Sequence, residues 1–450
     1  MMRMLARPLR ARASSDEEAV AVAEELAIKG GPKAVGDGMV KDWPPITDED
    51  RQAVVSVLDS GYLHGTGAPQ ARALQREWAE YVGVKHCLVT NSGTSALHMA
   101  VAAAGIQPGD EVLVPAYTYW ASAAAVLHHN AIPVFVDIEL ETFCIDPALI
   151  EERITDHTRA VMPVHIAGMP ADMDRINAIA KKHGLVVIED AAQAQGAEYK
   201  GKKVGGLGDA AGFSLNRSKN LTSCEGGLYT TNNDLYHDYA KMMREFGEVI
   251  IPGEKREYNA YTLGWMYRSI EFANAFGRSQ LKRLDQYNAQ RIQMAEYLSG
   301  SLRQIPGVEP VACPPDRRPV YWTYNLEFRP DQLGLDLPAE AFRTAAEQAL
   351  RAEGMGIGQW QFMPVPAQDV FQSKTGYGRG CPWSCRFSRP VEYRAEDYPR
   401  TLEFLKGHTC LRGVYPPNDL ALMRRYVAAF EKVLSRPDAL VEIARAEVAA

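Results

Sequence analysis

Leu185-Val186-Val187-Ile188-Glu189-Asp190 is an unbroken apolar run closed by two carboxylates. A strand buried on both faces of a parallel sheet reads this way, because neither of its sides faces water and its polar residues collect where it leaves the sheet. Asp190 then stands at the carboxyl end of that strand, the edge where open α/β sheets hold their sites. Some residues later, Ala210 to Phe213 is a second short apolar run, continued as Phe213-Ser214-Leu215-Asn216-Arg217-Ser218-Lys219-Asn220-Leu221-Thr222-Ser223-Cys224-Glu225-Gly226-Gly227. Lys219 lies between hydroxyl residues and a Glu-Gly-Gly turn. A lysine pointing inward from such a loop gives up its proton more readily than one in water, since burial disfavours the ammonium, and its free amine attacks carbonyls. Schiff-base chemistry is the sharper reading of Lys219. A solvated surface lysine is the plainer one, and these fifteen residues alone serve both.

Upstream, Thr90-Asn91-Ser92-Gly93-Thr94-Ser95 opens an alanine-rich apolar helix over Ala96 to Ala104. Unpaired backbone amides and hydroxyls there face one point, as an anion requires. One amine, one carboxylate and one phosphate cradle are the three contacts that pyridoxal phosphate needs.

Six stretches, in order along the chain, then carry a resemblance: SGTSAL (Ser92 to Leu97), PAYTYWAS (Pro115 to Ser122), PVHIAGMPADMD (Pro163 to Asp174), EDAAQAQGAEYKGKKVG (Glu189 to Gly205), the Lys219 stretch, and GWMYRSIEFANAFGRSQLKRLD (Gly264 to Asp285). The chain resembles the DegT/DnrJ/EryC1/StrS family of pyridoxal-phosphate aminotransferases that act on sugars and cyclitols. The resemblance implies an α/β protein of fold type I: a large domain with a mostly parallel, seven-stranded sheet between helices, and a smaller α+β C-terminal domain. The expected division is an N-terminal extension over 1–41, a large cofactor-binding domain over 42–281 and a small domain over 282–450.

It also implies the chemistry. Pyridoxal 5′-phosphate, alternating with its pyridoxamine form, carries an amino group from glutamate or glutamine to a keto-sugar or keto-cyclitol. By the same resemblance Lys219 is the covalent anchor and proton carrier, and Asp190 pairs with the pyridine nitrogen so that the ring accepts electrons. Gln193 lies near the ring hydroxyl, and Tyr119 stacks on the ring face, with Trp120 as the stacker if the register slips by one. Ser92, Gly93, Thr94 and Ser214 hold the phosphate. The plain alternatives are a helix cap for Asp190 and core filling for either aromatic. The family pattern further implies a homodimer with shared active sites, the segment from Tyr258 to Arg268 crossing to the partner. Where many members have Asn in that segment, this chain has Met266, which cannot donate a hydrogen bond to the partner's phosphate, leaving Tyr267 or Arg268 to compensate. Tyr321-Trp322-Thr323-Tyr324 and Gln359-Trp360-Gln361-Phe362 stand where histidines are frequent, so the acceptor pocket is expected to be aromatic. A dehydratase of the same fold, with histidine in place of the lysine, and a non-catalytic relative are the other readings; Lys219 together with Asp190 and Gln193 argues against both.

The composition agrees with an ordinary globular chain of 450 residues. A net charge of −7 gives no general attraction to nucleic acid or to an anionic membrane, and no apolar run approaches the roughly eighteen residues of a membrane span. Seven scattered cysteines fit reduced thiols in a cytoplasm better than a disulfide framework. Cys381 and Cys385 lack a second ligand pair, so no metal is expected. Met1 to Ser15 carries four arginines and no acid, which reads as a loosely held extension.

The periodicities predict helices over 16–28, 48–58, 72–82, 119–128, 149–154, 173–183, 235–245, 279–302 and 339–353, with a final helix over 418–434. Strands are expected over 86–89, 111–115, 132–137, 160–165, 185–190, 204–213, 227–231 and 320–328. Between residues 86 and 190 this strand–helix rhythm implies parallel strands with crossover helices on both faces.

Overall fold

The computed structural model describes residues 25–448, Thr66 and Pro252 excepted. The expectations for Met1 to Ser15 and for most of the 16–28 helix lie outside those residues; Ala27–Lys29 is a single 3₁₀ turn.

Seven strands make the main sheet: β1 His86–Thr90, β2 Glu111–Pro115, β3 Ile132–Val136, β4 Thr158–Val161, β5 Val186–Asp190, β8 Ala210–Ser214 and β9 Gly227–Thr231, with the short pair β6 Glu198–Tyr199 and β7 Lys202–Lys203 lying outside it. The order across the sheet is β1-β9-β8-β5-β4-β2-β3. Neighbours pair in parallel except at β9, which runs antiparallel to both β1 and β8. The buried run of the sequence is thus a central strand, flanked by β4 and β8.

Helix α3, Gly93–Ala103, is buried along almost its whole length. Its N-terminus presses on the sheet closely enough that a Cβ on Gly93 would stand 2.8 Å from that of Ser214, and one on Gly227 would stand 2.3 Å from the Ser92 carbonyl oxygen. Only glycine permits that approach. Helix α1, Asp48–Ser60, begins with a reciprocal capping box between Thr47 and Asp50. Helix α2, Pro69–Val82, lacks a local cap, and Glu271 of helix α7 (Glu271–Leu281) supplies one from about two hundred residues away, taking the Gln70 and Ala71 amides at 2.7 Å each.

Several expectations differ. The helix expected over 149–154 is two 3₁₀ turns, Pro147–Leu149 and Glu151–Arg153, and the strand expected over 320–328 forms only over Tyr324–Phe328. The strand expected over 204–213 is confined to β8, because the amides of Gly205, Leu207 and Gly208 curl around the buried Glu189 carboxylate, each at 2.7 Å. The single helix expected over 279–302 is two, α7 and α8 (Leu284–Leu302), broken where Arg283 reaches Asp50 at 2.6 Å and Glu49 at 3.1 Å in the first turn of α1. The last helix is not the one ending at Leu434. After it the helix Pro437–Val448 buries Leu440 and Ala444, one turn apart, in the second core.

That second core surrounds an antiparallel sheet of β10 Val308–Pro310, β12 Tyr324–Phe328, β14 His408–Leu411 and β13 Ile357–Gly358, in that order. Helix α9, Ala339–Ala352, and helix α12, Leu420–Leu434, pack on it with α8. Leu26 and Val35 of the N-terminal segment are buried in the same core. Residues 365–398 return to the main sheet instead: Phe371 and Tyr393 meet Phe135 of β3, and Arg389 pairs with the buried Glu111 at 2.7 Å.

Candidate active site

Asp190 closes β5 and is buried. Its carboxylate accepts the Ser122 hydroxyl at 2.6 Å and the Ala192 amide at 3.1 Å. Burial raises its pKa above the usual carboxylate value, and those two donors, with Lys219 and His165 nearby, pull it back. Beneath it, the His165 ring accepts the Ala171 amide at Nδ1, 3.0 Å, so its proton sits on Nε2 and is donated to Glu189 at 2.9 Å.

Lys219 comes from the loop between β8 and β9. Its main chain is held at both ends, the amide donating to the Asn216 carbonyl at 2.9 Å and the carbonyl accepting Trp43 Nε1 at 3.0 Å. Its Nζ lies 3.9 Å from the centre of the Trp322 ring, and Trp322 Nε1 donates to the Ser218 carbonyl at 2.8 Å. Burial lowers the amine to about 8, partly opposed by the Asp190 charge. Amine and acid are therefore close enough to act on each other while neither neutralises the other through a hydrogen bond.

Ser92 caps α3, its hydroxyl accepting the Ser95 amide at 3.1 Å, and Ser95 donates in turn to Asn91 Oδ1 at 2.6 Å. The Gly93 and Thr94 amides lie in the first turn, where no intrahelical carbonyl reaches them. Ser214 adjoins Gly93 at the end of β8. Gln193 is buried and its Oε1 takes the Ala167 amide at 2.7 Å; Ala167 also accepts the Trp322 amide at 2.9 Å, which ties Gln193 to the wall over Lys219. Tyr119 is half exposed, with its ring 6.3 Å from Trp360 and 27° from parallel, whereas Trp120 packs on the sheet core. The sequence-predicted residues thus gather at the carboxyl ends of β5 and β8 and the N-terminus of α3.

The segment around Met266 braces its own chain: the Tyr267 carbonyl accepts the Asn91 amide at 2.9 Å beside the anion cradle, and Arg268 pairs with Glu245 at 3.4 Å. Met266 itself is half exposed. Sequence reasoning missed Ser122, whose only signal is its place one turn after Tyr119 on helix α4 (Ala121–His128), and Trp43; Trp322, expected as part of an aromatic acceptor pocket, clasps the lysine loop together with it.

The pattern of the DegT/DnrJ/EryC1/StrS aminotransferase family matches residues 44–391. The chain is 35% identical over 434 residues to the L-glutamine:2-deoxy-scyllo-inosose aminotransferase of Streptomyces lividus, covering 92% of this chain and 98% of that protein. It is 40% identical over 286 residues to the GDP-perosamine synthase of Caulobacter vibrioides, covering 63% and 75%. Among solved structures, S. venezuelae DesV superposes with a TM-score of 0.73 at 31% identity over 86% of this chain and 95% of that one.

Proposed function

We propose that this chain, which belongs to the DegT/DnrJ/EryC1/StrS aminotransferase family, moves the amino group of glutamine or glutamate onto the keto carbon of a cyclitol. A nucleotide-free keto-cyclitol, rather than a nucleotide-linked keto-sugar, is the acceptor favoured by the relative named for 2-deoxy-scyllo-inosose, which spans nearly the whole chain. The aromatic side chains Trp322 and Trp360 beside the lysine loop support that choice.

The residues of the site suit pyridoxal phosphate, the cofactor of the family: a helix end of free amides beside Gly93, an amine, and an acid that accepts two hydrogen bonds. When bound, that cofactor supplies the aldehyde carbon that takes up the amine and the ring that accepts the electrons of the broken bond. Ser92, Gly93, Thr94 and Ser214 hold the phosphate with a helix end and hydroxyls. Asp190, kept in one orientation by Ser122 and Ala192, faces the ring nitrogen. Gln193 sits by the ring hydroxyl and Tyr119 covers a ring face, excluding water. Lys219 would be the residue that holds the cofactor's aldehyde carbon, and its Nζ would accept and return the proton. Its lowered pKa leaves a useful fraction of free amine near neutral pH.

Two copies of the chain pair through the segment from Tyr258 to Arg268, whose Tyr258, Tyr261, Leu263 and Met266 are exposed in the single chain. An exposed cluster of that kind is unusual in a monomer. Light scattering of the loaded protein at micromolar concentration tests it, a monomer mass counting against it. Among the described residues, no helix is long and apolar enough to cross a membrane; the reduced thiols, none paired, support a cytoplasmic site of action.

One observation carries the reading: a buried amine of lowered pKa beside the buried acid that ends the central strand. The test is the visible absorbance of the purified, cofactor-loaded protein. L-glutamine or L-glutamate should bleach the band and a keto-cyclitol should restore it. Lys219→Ala should abolish the band as seen in the intact enzyme. A band that survives this substitution, or that no amino acid alters, refutes the assignment.

A further inference from the structure

The cleft beside the lysine loop, about 820 Å³ in volume, holds more positive charge than its surroundings neutralise. Three arginines line it: Arg217 on the loop itself, Arg291 on α8, and Arg412 just past β14. Arg291 is the anomaly. Its side chain is only 1% exposed, its Nε has no hydrogen-bond partner, and its Nη1 reaches only the Val414 carbonyl at 3.5 Å. The guanidinium lies instead over the rings of Trp43, at 4.4 Å, and Tyr415, at 5.4 Å.

Arg244 shows how this chain treats an arginine that is purely structural. Also buried, and with an Nε that likewise makes no hydrogen bond, it differs in having an acid: Glu245 lies at 3.2 Å, with the Gln75 side chain at 2.9 Å and the Val89 carbonyl at 3.1 Å. Arg291 has no such acid among the described residues, and stacking on aromatic faces returns only part of what desolvating a guanidinium costs. A buried cation left in that condition at the wall of a cleft is matched to an anion that arrives from outside.

The neighbours say which anion. The Tyr415 hydroxyl feels the charges of Arg291, Arg412 and Arg217 together with that of Asp42, so these groups converge on one end of the cleft. The acids lining the cleft are Asp42 and Glu225, the latter held by Asn216 Nδ2 at 2.7 Å. Three arginines against two acids leave the cleft net positive, which suits the carboxylate of an amino acid. The cleft also adjoins the amine: Trp43 donates to the Lys219 carbonyl, and Trp322, which lines the cleft, lies under Lys219 Nζ.

We propose that Arg291, with Arg412 and Arg217, forms an oxyanion subsite that takes a carboxylate of the amino donor and so directs its α-amine toward Lys219. This assignment rests on the aminotransferase reading and adds to it how the donor is recognised: by an arginine buried before the donor arrives.

The probe is glutarate, which carries the donor's carboxylate but no amine and cannot react, titrated into the loaded enzyme and followed by tryptophan fluorescence, since Trp43, Trp322 and Trp360 line the cleft. Glutarate should bind the native enzyme and bind Arg291→Met and Arg412→Met at least about tenfold more weakly. In the bleaching assay the half-saturating L-glutamine concentration should rise by a similar factor in both variants, while that of the keto acceptor stays within about twofold. No binding of glutarate to the native enzyme, or equal binding by the variants, overturns the proposal. So does pyrophosphate binding that depends on Arg291 where glutarate binding does not, since the anion then belongs to a phosphorylated acceptor. If Arg291→Met melts too early for assay, Arg412→Met and the native titration decide. If no amino acid bleaches the native band, the aminotransferase reading fails by itself, and glutarate binding still reports on the subsite.

Discussion

Two lysines of this chain, Lys432 buried and Lys219 partly buried, are treated in opposite ways. Lys432, on α12, sends its ammonium to Glu353 at 2.8 Å and to the Pro32 carbonyl at 2.7 Å. Glu353 also receives the amides of Ala27 and Ala34, at 2.8 and 3.0 Å. The whole arrangement fastens the N-terminal segment to the small core. Lys219 has no hydrogen-bond acceptor for its Nζ among the described residues; it has an aromatic face, and a carboxylate near enough to be felt but already engaged by Ser122 and Ala192. A buried ammonium with every proton accepted stays where it is and stays charged. One deprived of acceptors sheds its proton easily and can move, which a nucleophile and proton carrier must do. The two lysines thus differ above all in the acceptors they are given, Lys432 a carboxylate and a carbonyl, Lys219 an aromatic face.

The sharpest test of the contrast removes each amine's function in turn. Lys219→Ala should lower the transamination rate at least about 10³-fold with little loss of stability, read by the amount of aminated product formed in a single turnover. Glu353→Ala should do the reverse, leaving Lys432 buried without its acid and costing about 3–5 kcal/mol in denaturant unfolding, while the folded fraction still turns over. Equal effects of the two substitutions on rate would erase the distinction. Ser122→Ala removes the charge-assisted hydrogen bond that steadies Asp190; at about 1.5–3 kcal/mol, it should cost roughly tenfold or more in kcat/KM.

Two smaller effects refine the picture. Trp322→Phe weakens the aromatic face under Lys219, worth about 0.5–1 kcal/mol, and should move the acid limb of the rate profile to lower pH by less than about one unit. An unmoved limb would mean the indole plays no part in holding the amine. In the cofactor-free protein, Lys219 titrates near about 8 when folded against 10.5 for a free lysine. Between those values the unfolded chain binds the extra proton, so this residue makes stability rise with pH across that window and contributes no slope outside it. Lys219→Met should flatten that rise in unfolding measured from pH 8 to 10.5.

Much of the site was legible in the sequence because its parts are local. A long apolar run ending in an acid, a glycine-and-hydroxyl opening to an alanine-rich helix and a lysine loop after a buried strand each declare themselves within a dozen residues, and the structure gathers Asp190, Ser92, Gly93, Thr94, Ser214 and Lys219 at adjacent element ends. The break between α7 and α8 was not legible, since Arg283 leaves helical geometry only because α1 presents Asp50 and Glu49 to it. Nor was the α2 cap, which Glu271 provides across the fold.

The sequence alone determined which residues can do chemistry here, because that depends on side-chain type and on the ends of strands and helices that short-range pattern defines. Tertiary structure alone decided which of them are free to act. Ser122 meets Asp190 from 68 residues away, Trp43 and Trp322 close on Lys219 from far before and far after it in the chain, and Arg291, one more charge on a charged helix in the linear chain, is buried without an acid among the described residues. Burial and pairing are properties of surfaces brought together from afar, and no local run of residues records them.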